Sequence, residues 1–191
     1  MELYKIISKN WSDKMKNTIN RICIIGGSGS GKTTLTDILG KMLELPIYHM
    51  DGINYFKNWK QRDKAERDEI ILEIIEEKKW VMDGTYNSTL HIRFEKSDLI
   101  IFLDYSTFAL LKGVLGRFFK YNGRERQEIP GCNERISPKF ILWVIKWRKN
   151  KRKKILEEIK NVDSEKVLIF KSRKQLNKWF VKEFNAKIEI N

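Results

Sequence analysis

The sequence predicts an α/β fold, a parallel sheet covered by helices on both faces. Three observations carry this. Short apolar runs alternate with stretches of helical period from Arg21 to Phe184. A glycine-rich segment, Gly26 to Thr33, separates the first such run from the first helical stretch. Three of the runs finish on an aspartate, and open α/β sheets bind ligands beyond the carboxyl ends of their strands.

Arg21-Ile22-Cys23-Ile24-Ile25 is the first buried-strand pattern. Leu35, Ile38, Leu39, Met42 and Leu43 then share one face of a helix. Pro46 to Asp51 reads as a second strand that ends on a carboxylate, and residues 63–79 resume helical period through Ile70, Ile71, Ile74 and Ile75. Trp80 to Gly84 is the third strand, and Leu99 to Asp104 is the clearest of all. Phe108, Leu111, Leu115 and Phe118 mark a further helix. Another runs from about Pro138 to Lys160, with Pro138 where a first turn tolerates it. Val167 to Phe170 is the last strand, and Leu176, Trp179, Phe180 and Phe184 are the apolar face of the last helix. Residues 1–20 read as an N-terminal extension and 21–191 as one domain.

Composition narrows the class. The 191 residues are 41% hydrophobic and 33% charged, with six Trp, six Tyr and ten Phe, too much apolar surface for a disordered chain. No run approaches the ~20 apolar residues of a membrane span, so no membrane partner is expected. The polar first twenty residues lack the apolar stretch of a secretory signal, and two cysteines do not make a disulfide framework. A cytoplasmic location is expected. The net charge is +13, of which residues 117–154 supply +10 through thirteen Lys/Arg against three Glu. That stretch either meets a polyanion or is a solvated helix face.

Gly26-Gly27-Ser28-Gly29-Ser30-Gly31-Lys32-Thr33 fits G-x-x-x-x-G-K-[ST], and Thr34 follows. Glycines let backbone N–H groups curl around phosphate oxygens, and the helix that follows presents its positive end to them. Lys32 reaches the β- and γ-phosphates in such a loop, and the Thr33 hydroxyl ligates Mg²⁺. A flexible Gly/Ser linker would have neither a buried strand before it nor an amphipathic helix after it. This is a P-loop, and it predicts ATP and Mg²⁺ as ligands.

Asp83 ends the strand in W-V-M-D-G-T-Y, beside that loop, where a carboxylate holds Mg²⁺ through a water. Asp51 precedes the aromatic-rich Gly52 to Trp59, where an acceptor hydroxyl or amine approaches the γ-phosphate. Either aspartate also suits a cap at a strand end, and for Asp104 the two readings are equal. His49 reads as a packed strand residue. Tyr55, Phe56 and Trp59 serve either to stack on a ring or to fill the core.

GGSGSGKTTL, IYHMDGINYFKNW, W-V-M-D-G-T-Y-N-S-T-L-x-x-R, D-L-I-I-F-L-D and R-F-F-K-Y-N-G-R-E-R together resemble the bacterial topology modulation (FlaR-like) proteins, relatives of adenylate kinase among the P-loop kinases. The resemblance spans about residues 21–175. It implies a P-loop three-layer sandwich with a five-stranded parallel sheet in the order 2-3-1-4-5. It also implies a nucleoside-monophosphate-kinase-like organisation, with an acceptor-side segment at about 52–79 and a lid at about 118–138. It assigns Mg²⁺ to Asp83 and acceptor contacts to Asp51, Tyr55 and Arg93. Arg93 stands away from the spot expected for it, because Asp83-Gly84-Thr85-Tyr86-Asn87 replaces the adenylate-kinase pattern D-G-F-P-R. Arg117, Arg124, Arg126 and Arg135 lie in and around the turn-rich lid, where a guanidinium fork closes on phosphates. Cys132 has no other cysteine nearby, which argues against a zinc-stapled lid.

Two function classes follow. The first is a Mg²⁺-dependent kinase that moves the γ-phosphoryl of ATP to a small acceptor such as a nucleoside, nucleotide or metabolite. The alternative is a nucleic-acid-associated topology modulation or regulatory protein, with ATP as a switch or a slowly hydrolysed ligand. Its support is the run Lys146 to Lys154, suited to non-specific phosphate-backbone contacts.

Overall fold

Ile22, Cys23, Ile24 and Ile25 have no exposed surface, because β1 (Arg21–Gly26) is the middle strand of a five-stranded sheet. The computed structural model describes residues 19–126, 128–184 and 188, so the expected extension lies almost wholly outside the described residues. After β1 come α1 (Lys32–Leu43), β2 (Ile47–His49), α2 (Met50–Asn54), β3 (Tyr55–Phe56), β4 (Lys60–Gln61) and α3 (Lys64–Ile75). Then follow β5 (Trp80–Asp83), α4 (Leu90–Lys96), β6 (Leu99–Leu103) and α5 (Thr107–Tyr121). The chain continues through β7 (Glu125–Arg126), β8 (Ile129–Asn133), α6 (Pro138–Trp147), α7 (Lys153–Lys160), β9 (Val167–Phe170) and α8 (Arg173–Phe184).

The main sheet runs β2-β5-β1-β6-β9 with every pairing parallel. In terms of its own strands this is the expected order 2-3-1-4-5. Register then places the site. Ile24 pairs with Asp83 and Gly26 with Leu103, so the glycine-rich loop leaves β1 with Asp83 on one flank and Asp104 on the other. Helix ends are closed by short polar side chains. Asp63 accepts from the Ala65 and Glu66 amides, Ser106 from Ala109, and Ser137 from Phe140, with Pro138 at the tolerated first position.

Several expectations need correction. β2 stops at His49, and Asp51 lies in the first turn of α2 rather than on a strand. The turn is fixed by Asn54, a buried residue whose Oδ1 accepts from Arg67 Nη1 at 3.1 Å. On α5 the buried residues are Leu110, Gly113 and Val114, while Phe108 and Leu115 point outward.

The long helix over 138–160 is continuous but contains a wider π turn at Arg148–Arg152. That turn faces Asp104, which is neither a helix cap nor part of the cavity wall. Its buried carboxylate pairs with Arg148 Nη1 at 3.0 Å, Arg152 Nε at 2.9 Å and Lys171 Nζ. Burial opposes its ionisation, but these cations hold its pKa below the ordinary carboxylate range. Removing the anion strands three cations around an emptied buried site. Asp104→Ala is therefore expected to lower stability by about 2–4 kcal/mol, read as a shift in the urea midpoint at constant m-value.

The segment expected as a lid is the antiparallel β7–β8 hairpin, and it packs down on the 3₁₀ turn at Lys57–Trp59. Cys132 is buried in that seam, its Sγ 3.2 Å from both the Trp59 amide and the Phe56 carbonyl.

Candidate active site

The loop between β1 and α1 holds its shape through residues that only glycine satisfies. Gly29 has φ 79°, and a Cβ there would collide with the Leu110 carbonyl oxygen. Gly31, at φ 88°, occupies the N-cap of α1 and offers no side chain to its amides. The first-turn N–H groups of α1 are thus left for an external anion. Thr85 braces the start of the loop, its Oγ1 bonding Gly26 N at 3.3 Å and Gly26 O at 3.1 Å.

An open cavity of about 1660 Å³ spreads from this loop. Gly26, Ser28, Gly29, Gly31, Lys32, Thr33 and Thr34 line one end of it. Lys32 Nζ donates to the Gly27 carbonyl at 3.1 Å. Burial pushes the Lys32 ammonium down from its ordinary pKa, while Asp83 and Asp51 oppose that shift. Lys32 and the uncapped first-turn amides of α1 are donors of the kind that suit a phosphate group. A hydroxyl on Thr33 and a carboxylate on Asp83 add the hard oxygen donors that magnesium prefers. The residues present fit both a nucleotide triphosphate and Mg²⁺.

Asp83 and Asp51 line the same cavity as Lys32. Asp83 Oδ2 is taken by His49 Nδ1 at 2.9 Å, and His49 Nε2 meets Asp37 Oδ1 at 3.1 Å. Burial disfavours the imidazolium, but the Asp83 hydrogen bond and the two negative charges outweigh it and raise His49 to about 9. His49 is therefore a structural cation between two acids, a role its strand pattern did not disclose. Above the free-histidine value of about 6.5 the folded protein holds a proton that the unfolded chain has released. This contribution is complete below pH 6.5 and lost as pH rises through about 9. Urea melts across that range are expected to show wild-type stability falling toward the value of His49→Gln, whose own profile lacks this slope.

Asp51 accepts from the Tyr86 hydroxyl at 2.8 Å. Burial and the Asp51 charge drive Tyr86 far above its ordinary pKa, so it stays a donor. The Arg67 guanidinium stacks 4.7 Å from the Tyr86 ring and bonds Asn54, Asp68 and Ser88. Tyr55 also lines the cavity, edge-on to Trp59 at 5.4 Å. Neither Tyr86 nor Arg67 stood out in the sequence, since each is an ordinary residue of its element until the chain folds.

The lid arginines divide. Arg117, Arg126 and Arg135 line the cavity. Glu134 holds Arg117 Nε at 3.0 Å and Arg126 Nε at 3.6 Å, and Glu128 takes Arg126 Nη2 at 2.5 Å. Burial works against the charge of Arg126, but Glu128 raises its pKa overall. Arg135 stacks 5.8 Å from the Trp59 ring. Arg124 is exposed on the turn and absent from the cavity wall.

Arg93 is a correction. It is fully buried, donating to the Gly84 carbonyl at 2.9 Å, the Tyr86 carbonyl at 3.0 Å and Thr89 Oγ1 at 3.2 Å. Its guanidinium fixes the turn after β5 and does not face the cavity. The basic run at Lys146–Lys154 also divides: Arg148 and Arg152 hold Asp104, whereas Lys151 and Lys154 line the cavity beside Trp147.

No known protein-family profile matches the chain, and no curated protein matches it. Among solved structures, shikimate kinase from Acinetobacter baumannii in complex with shikimate superposes with a TM-score of 0.52 at 14% identity. The match covers 93% of this chain and 99% of that one. The chain shares the overall fold of that kinase. Shikimate kinase from Aquifex aeolicus gives a TM-score of 0.48 at 17% identity over 86% and 96% of the two chains. A sugar kinase from Janibacter sp. gives 0.47 and 14% over 88% and 95%.

Proposed function

We propose that the protein is a Mg²⁺-dependent phosphotransferase that moves the γ-phosphoryl group of ATP to a hydroxyl of a small acceptor. The observation that carries this is the shared cavity, in which the Tyr86-bonded carboxylate of Asp51 faces the same space as Lys32 of the phosphate loop. A P-loop that only hydrolysed ATP has no need of an oriented carboxylate at the acceptor end. In this reading an acceptor oxygen bonds to the γ-phosphorus as the bond to the β-bridging oxygen breaks. Asp51 takes the hydroxyl proton, and ADP leaves. Thr33, and Asp83 through a water, would hold Mg²⁺, which would offset the charge of the β- and γ-phosphates. Lys32 follows the charge onto the bridging oxygen, and Arg117, Arg126 and Arg135 stabilise the transferring group.

Asp51, Tyr55, Tyr86 and Arg67 form the acceptor end, which supports a small polar acceptor over a polymer. The motif likeness to topology modulation proteins is compatible with this chemistry. The nucleic-acid alternative is weakened by the division of the basic run, which leaves only Lys146, Lys149 and Lys153 on its outer side, with Lys153 also 3.8 Å from Glu157. ADP release measured over shikimate, other small polyols, nucleosides and nucleoside monophosphates tests the reading. At least one acceptor should raise the rate well above the water reaction. A rate that no hydroxyl compound changes returns the protein to the ATPase class.

A further inference from the structure

Two neighbouring helices, α5 and α6, turn large apolar side chains to solvent. Phe108 and Phe119 are each 79% exposed, and Leu115, Leu142 and Ile145 are 44%, 49% and 46% exposed. At about 100° per residue, Phe108, Leu115 and Phe119 fall within roughly 40° of one another on α5, opposite Leu110 and Val114. α5 packs against α6. Arg148, just past the end of α6, bonds Asp104 and the Tyr105 carbonyl just before α5 begins. The helices therefore pack antiparallel, and each turns an apolar row to solvent.

The charge on these helices has one sign. Thr107–Tyr121 and Pro138–Arg152 together carry nine Lys/Arg and no Asp or Glu. Of these, Lys112, Lys146 and Lys149 are exposed beside the apolar row. An isolated exposed phenylalanine needs no explanation, but a row of them on helices that expose lysines and carry no acid does.

We infer that this face lies on an anionic phospholipid surface. A second copy of the chain would bring two like-charged faces together. Nucleic acid would match the lysines but offer nothing for Phe108 and Phe119 to bury. A bilayer surface supplies both parts, anionic headgroups for the lysines and the acyl boundary for the phenylalanines. The contact is peripheral, since among the described residues no helix is long and apolar enough to cross a membrane. It goes beyond the expectation of no membrane partner, and it does not depend on the proposed chemistry.

Sedimentation of the full-length protein with vesicles tests it. Equal parts phosphatidylglycerol and phosphatidylcholine are expected to bind at least ~10-fold more protein than phosphatidylcholine alone, and ~0.5 M salt should reverse most of that. Phe108→Ser/Phe119→Ser is expected to weaken anionic-vesicle binding ~10-fold or more, with ATP turnover within about twofold of wild type. Lys112→Gln/Lys146→Gln/Lys149→Gln should weaken it independently and leave the melting temperature unchanged. Equal binding to both vesicle types overturns the inference, as does binding that the phenylalanine variant leaves intact. A wild-type dimer that this variant converts to monomer assigns the face to a second copy instead. Retention on immobilised polyglutamate that matches the vesicles and is lost in both variants assigns it to an acidic protein.

Discussion

Lys32→Ala is expected to abolish ATP turnover, by at least ~10³-fold, in a protein that still folds. Two features set the direction. Among the described residues Lys32 donates to the Gly27 carbonyl alone, so its loss removes one part-buried hydrogen bond, worth about 1 kcal/mol. Its ammonium is also held at a depressed pKa by burial, the condition in which an incoming phosphate gains most from it. A melting curve close to wild type, together with loss of nucleotide-dependent stabilisation, completes the expected pattern. Wild-type turnover in the folded variant would remove the loop from the chemistry altogether.

Asp51→Asn is expected to lower the acceptor-dependent rate ~10²-fold or more while ATP affinity changes little. The amide keeps the size of the carboxylate and still accepts from Tyr86, but it no longer takes a proton from a hydroxyl. If Asp51 served only to brace Tyr86, the change would cost about 1 kcal/mol of stability or less and leave the rate intact. Rate and melting temperature of this one variant separate the two outcomes. Tyr86→Phe is a useful companion, since it frees Asp51 without removing its charge.

The sheet and the phosphate loop were legible because their signals are local. A buried parallel strand reads as an unbroken apolar run, and the loop's glycines, lysine and threonine are contiguous. The acceptor end was legible only in part. Asp51 stands out as the carboxylate at an expected strand end, but its partner Tyr86 lies 35 residues on, and no spacing rule joins them. Arg93 misled for a related reason: at full burial a guanidinium can bind three carbonyl and hydroxyl groups of its own turn, which looks the same in sequence as a ligand-binding arginine. Asp104 was ambiguous because its cations arrive from 44, 48 and 67 residues away. The π turn at Arg148–Arg152 also interrupts helical phase, so periodicity alone did not divide the basic run into its Asp104-facing and cavity-facing members.

The seam around Cys132 has a thermodynamic consequence. The β7–β8 hairpin carries Arg126 and leads into Glu134, which in turn holds Arg117, so one edge of the hairpin belongs to the nucleotide end of the cavity. Its other edge rests on Lys57–Trp59, beside Tyr55 at the acceptor end. The hairpin therefore touches residues at both ends of the cavity. A nucleotide that draws the hairpin inward alters the affinity for the acceptor by some factor, and linkage requires the acceptor to alter the affinity for the nucleotide by the same factor. Saturation curves for either ligand should accordingly shift with the concentration of the other.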